Sequence, residues 1–176
     1  MTTINHALLK KFYDEHRDAE LNKEYYAMRV SSVKKRLRWL NIFLAVFAGS
    51  SAVVGFTLWQ QTVFGLPVGA LAISALTGIA VIMSIIKPYL GLESDIERLS
   101  SIQGVYSALS SLHGDVVKTI VSHQALTDRE RTSYDLMRQM RLSVDGKEDK
   151  PANAKLQAKA EEIVNRRFPE STRWYP

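Results

Sequence analysis

Apolar residues in this chain are segregated rather than dispersed. From Trp39 to Ile86, roughly 48 residues pass without an Asp, Glu, Lys, Arg or His, far more than the ~18 that flag a membrane span. The block divides at Gln60-Gln61-Thr62-Val63-Phe64-Gly65-Leu66-Pro67, where Gln60, Gln61, Gly65 and Pro67 are turn and breaker residues. The expected spans are Trp39–Trp59 and Val68–Ile86. At 1.5 Å per residue they measure roughly 30 and 28 Å, the thickness of a hydrocarbon core. Trp39 and Trp59 bracket the first span, and Tyr89 lies just past the second, as an aromatic belt requires.

The flanks follow a helical rhythm. Leu8, Phe12, Ala19, Tyr26, Val30, Val33 and Leu37 recur at three-, four- and seven-residue spacing. They form an amphipathic stripe on a first helix that nothing interrupts before the apolar block. After Pro88, Leu92, Leu99, Tyr106, His113 and Ile120 are spaced by seven, with Ile102, Leu109 and Val116 three residues after their neighbours. This is an a/d seam of about four heptads. Its partner is expected to be the first helix or the same helix of another subunit. Thr127-Asp128-Arg129-Glu130 reads as a capping box opening a shorter helix. Val144 to Pro151 reads as a charged linker, and a last helix spans about Ala152 to Phe168. The tail Ser171–Pro176 is too short to fold alone.

The chain is thus expected to be all-α: an integral membrane protein with a two-helix transmembrane hairpin and long cytoplasmic helices. Its blocks are an N-terminal amphipathic helix (1–37), the hairpin (38–87), helices with the seam (88–143), and a linker, C-terminal helix and tail (144–176). Average composition conceals this, with 46% hydrophobic residues, 23% charged residues and a net charge of +5. Charge placement sets the orientation. Arg29, Lys34, Lys35, Arg36 and Arg38 precede the first span, Lys87 follows the second, and the connecting loop has no Lys or Arg. Both ends are therefore expected in the cytoplasm, with the basic residues also meeting anionic headgroups. A nucleic-acid role for that basic run is the weaker reading, and no direct nucleic-acid binding is expected.

Candidate chemistry is sparse. The absence of cysteine excludes disulfides, thiolate metal sites and cysteine nucleophiles. His6, His16, His113 and His123 build no i, i+3 or i, i+4 ligand face. No phosphate-binding glycine loop or nucleophile motif occurs. Neither an enzyme nor a cofactor is expected. His113 falls in the seam, as a register-setting or pH-sensing residue or as a solvated or locally paired histidine; the second reading is preferred. Within the spans, small and polar residues share one side: Ala70, Ser74, Thr77, Gly78, Val81 and Ser84 on the second helix, Asn41, Ala45, Ala48, Ser51, Ala52 and Gly55 on the first. Such faces suit close helix packing. The competing reading is that Ser74, Thr77 and Ser84 line a water path in an oligomer. No ionisable group lies in either span, which argues against a proton-coupled transporter.

The layout resembles the SLATT family, the SMODS and SLOG-associating two-transmembrane effectors of bacterial conflict systems. The similarity runs from about Tyr25 to Met140. It rests on Lys34-Lys35-Arg36 before the first span, Ser74-Ala75-Leu76-Thr77-Gly78 within the second, Leu99 to Leu112 after it, and Tyr134, Leu136 and Arg138 in a later helix. The resemblance implies an antiviral effector in the bacterial inner membrane. Such an effector works beside a sensor enzyme, a nucleotidyltransferase or reverse transcriptase, and on activation oligomerises, permeabilises the membrane and causes abortive infection. The runner-up is a non-conducting anchor or scaffold whose cytoplasmic helices bind a partner protein.

Overall fold

A computed structural model describes residues 6–58, 68–123, 128–149 and 151–169, with side chains at 10–46, 74–120, 122, 132–149 and 151–169. The described residues are all-helical. Helix α1 spans His6–Leu58, α2 Val68–Ile86, α3 Leu92–His123, α4 Asp128–Asp145 and α5 Ala154–Arg167. The 60–67 turn, Trp59, Thr127 of the capping box and the 171–176 tail lie outside the described residues.

The chain forms two compact units, Met1–Ser31 with Glu97–Pro176, and Ser32–Ile96. The first unit is a four-helix bundle centred on the start of α1. No Pro or Gly breaks α1 before Gly49, so one uninterrupted helix can face several partners with different sides. Toward α3 it buries Phe12, Ala19 and Tyr26, and the seam residues Leu99, Ile102, Tyr106, Leu109, Val116 and Ile120 are buried in turn. The Tyr26 and Tyr106 rings stack at 6.0 Å between centroids, and Phe12 meets His113 edge-on at 6.2 Å. Gly114 lies against His16: a Cβ there would stand 3.4 Å from Nε2. Toward α4, Phe12 packs edge-on to Tyr134 at 5.4 Å. Toward α5, Tyr13 and His16 both meet Phe168 edge-on.

The C-terminal segment is part of this core. Val144, read from sequence as the start of a linker, is 1% exposed at the end of α4. Ala160 and Val164, four residues apart on α5, are likewise buried. Asn153 caps α5, its side chain accepting a bond from the Leu156 amide, so the helix begins two residues later than its composition indicates.

In the second unit, α2 gives way to a 3-10 turn over Lys87–Leu90 with Pro88 in its first positions. Proline cannot extend an α-helix here but suits a first turn. Gly91, at φ +60°, ends the turn in a conformation that L side chains resist. Its carbonyl accepts from the Asp95 amide and the Ser94 hydroxyl, which starts α3.

Candidate functional site

Among the described residues, the apolar segment presents many large exposed side chains. On α1, Trp39 is 71% exposed and Val46 58%, with Ile42 and Phe43 also exposed. On α2, Leu76, Ile79, Val81, Ile82, Ile85 and Ile86 are all exposed. From Ser74 on, the chain carries a stretch long and apolar enough to cross a membrane, and none of that window is buried. A helix apolar on every side is stable only where something apolar surrounds it.

Neither face of α2 is favoured for cover. Ser74, Thr77, Gly78 and Ser84 are as exposed as the bulky residues opposite them, and a Cβ added at Gly78 would meet nothing within 4 Å. Asn41 of α1 is exposed too. The side chains of Ser51 and Gly55 lie outside the described residues. Ser84 Oγ donates to the Val81 carbonyl at 2.9 Å, which satisfies the hydroxyl within its own helix. Lys34, Lys35, Arg36 and Arg38 are exposed, whereas Lys87 and seam residue Leu92 are half-buried.

Arg29, grouped by sequence with that basic flank, has a different occupation. Its Nε donates to Asp149 Oδ2 at 2.7 Å. Arg98 Nη2 donates to Oδ1 at 3.1 Å, while Nη1 holds the Lys147 carbonyl. The Asp149 amide donates to Tyr26 Oη, and the Asn153 amide to Tyr25 Oη. Tyr106 donates to Glu148. Burial pushes the Asp149 carboxyl up, but the bonds from Arg29 and Arg98 outweigh it and hold it below the usual carboxylate range. The segment read as a charged linker is therefore strapped to α1 and α3.

A second polar cluster fixes the far end of α5. Glu20, 6% exposed, accepts from Ser110, Lys23 and Arg167. Arg167 also reaches Glu24 at 2.9 Å, and Arg17 donates to Asn165. Burial raises the Glu20 carboxyl, but the bonds from Ser110 and Lys23 with the charges of Lys23 and Arg167 bring it below its ordinary value. In the sequence, only Leu156, Ala160 and Val164 at four-residue spacing indicated that α5 had something to cover.

His113 is buried rather than solvated, at 5% exposure. Its Nε2 lies 4.0 Å from Glu15 Oε2, too far for a hydrogen bond, and its Nδ1 is buried without a partner. Burial, then the nearby His16 and Arg141, push its pKa down to about 4, so the ring is neutral at pH 7. No group of three or more metal-capable side chains occurs among the described residues.

These residues define a class: an all-helical chain in which a tightly tied bundle is joined in sequence to an apolar helical segment. The chain matches no family model, no curated protein and no solved structure.

Proposed function

We propose that the chain is a two-span protein of the bacterial inner membrane. Its spans are Trp39–Trp59 and Val68–Ile86, both ends are cytoplasmic, and it acts as a SLATT-like effector that oligomerises and permeabilises the membrane. The observation that carries the membrane part is the exposed apolar surface of residues 39–46 and 74–86. In water, side chains of this size would forfeit roughly 1.5–3 kcal/mol each relative to burial; acyl chains supply that burial. A cysteine at Gln61 should react with a membrane-impermeant thiol reagent added outside the cell, and one at exposed Lys147 should not. External labelling at Lys147 would overturn the orientation.

Permeabilisation draws on a second surface. It rests on the small, polar face of Ser74, Thr77, Gly78 and Ser84, exposed in the single chain and thus available to other subunits. A water path needs several copies, since two helices enclose no lumen. Ser74→Ala with Thr77→Val keeps the size but removes the hydroxyls. A polar pore should then pass less ion flux in liposomes while keeping its oligomer size. Ser74→Leu with Thr77→Leu should abolish flux.

The anchor reading is favoured by one observation. The α3 seam, one candidate for joining subunits, is buried against the chain's own bundle. Assembly must therefore use other surfaces. Absence of wild-type flux alongside intact membrane insertion would select the anchor.

A further inference from the structure

Within the bundle, α1, α3 and α4 border a partly open cavity of about 160 Å³. It is comparable in size to a cavity of ~150 Å³ that accommodates benzene. Its apolar lining includes Ala19, Leu109 and Met137; its polar lining includes Glu15, His113, Arg138 and Arg141. The void is set by spacing. Tyr134, Arg138 and Arg141 stand at i, i+4 and i+7 on one side of α4, and the small Ala19 faces them from α1.

Three features of the lining concern ligand chemistry. First, His113 Nδ1 is buried and has no hydrogen-bond partner, and such atoms are seldom left unpaired. Second, Arg138 and Arg141 make no hydrogen bond or close ion pair to a described residue, so two guanidinium groups border the space uncommitted. Third, the one lining carboxylate is already engaged: Glu15 accepts from Tyr134 Oη at 3.3 Å and lies 4.0 Å from Lys11 Nζ. Asp18 also lies within the field of Arg141. Glu148, bonded to Tyr106 of the lining, is likewise engaged, which leaves Arg138 and Arg141 as the lining charges free to meet a ligand.

We propose that this cavity binds a small organic anion with a ring-sized apolar body, its carboxylate paired with Arg138 and Arg141 and hydrogen-bonded by His113 Nδ1. The neutral imidazole in its Nδ1–H form donates to the anion. Ala19, Leu109 and Met137 offer apolar contact to the ring, and the guanidinium groups supply charge-assisted bonds that a neutral ligand cannot make.

The test uses benzoate as probe on the full chain in detergent, with inorganic phosphate and benzyl alcohol as comparisons. The readout is the His113 ring signal in ¹⁵N-histidine NMR, identified by its loss in His113→Gln. Benzoate should shift that signal saturably, and phosphate and benzyl alcohol should bind at least tenfold more weakly. Arg138→Gln with Arg141→Gln removes exposed side chains, so the fold should persist while benzoate binding falls at least tenfold. Three results would overturn the proposal: no saturable shift up to about 10 mM, a range that captures weak millimolar binding; phosphate binding as tight as benzoate, which would mean charge attraction without a ring site; or undiminished binding in the double variant.

Discussion

Acid should weaken the bundle well before its carboxylates titrate, and His113 is the reason. Its ring is buried, and its pKa falls from an ordinary value near 6.5 to about 4. Between those values the unfolded chain binds a proton that the folded chain refuses, so stability rises with pH across that window. The contribution is complete above about pH 6.5 and lost as pH falls toward 4. A shift of about 2.5 units corresponds to roughly 3 kcal/mol in full, and about 2 kcal/mol of it should be gone by pH 5. Against a typical total of about 5–15 kcal/mol that is easily measured. Glu15 lies 4.0 Å from Nε2, too far to hold a proton there by a hydrogen bond, while His16 and Arg141 both oppose protonation. The assay is chemical denaturation of the detergent-solubilised chain followed by circular dichroism from pH 7.5 to 5. His113→Gln should flatten most of the slope; half-buried His16, also pushed down by burial, accounts for the remainder. A wild-type stability that is level from pH 7 to 5, or an unchanged slope in His113→Gln, would refute the reasoning.

Other expectations concern the bundle's contacts. Leu99→Asp with Leu109→Asp places two carboxylates where exposure is 0% and 3%; at several kcal/mol each the bundle should lose cooperative thermal unfolding, whereas Leu142→Asp, 66% exposed, should change stability by no more than about 0.5 kcal/mol. Asp149→Asn should cost about 1–2 kcal/mol, a figure reduced for solvent screening because Arg29 and Arg98 are 25% and 34% exposed; hydrogen exchange should accelerate in α5. Glu20→Ala leaves Ser110 buried without its acceptor and should cost about 1–3 kcal/mol in denaturant melts. Both carboxyls are depressed on folding, so their contributions are present above the ordinary carboxyl range and should fade as pH falls below it.

Periodicity made much of the bundle legible. Phe12, Ala19, Tyr26 and Val30 on α1, and the seam from Leu99 to Ile120 on α3, are core residues because a seven-residue repeat of apolar side chains keeps one helical face inward. The exposed run from Trp39 was equally plain, since absence of charge needs no partner to be read. The strap was not legible. Asp149 sits among Asp145, Lys147, Glu148 and Lys150, and nothing in local composition distinguishes an acid bound by two arginines from its solvated neighbours. Arg29 was absorbed into a basic flank for the same reason: sequence proximity to Lys34 outweighed a contact 120 residues away. His113 stood in the seam by spacing, but spacing does not reveal whether a polar ring at such a position finds water. Phe12 packs edge-on against the His113 ring from α1.

The attachment of α5 to α1 has a consequence during synthesis. The contacts Arg17–Asn165 and Glu20–Arg167 join residues about 148 positions apart. A chain emerging from the ribosome completes the start of α1 first and makes the α5 residues that cover it about 148 positions later. Until residue 168 has been made, Tyr13 and His16 lack the Phe168 ring, and Glu20 lacks its arginine. Long-range closure of this kind slows folding and leaves apolar surface open to wrong partners. Chains truncated before α5 should therefore be held by chaperones and digested by protease at α1, whereas released chains that include Arg167 and Phe168 should resist.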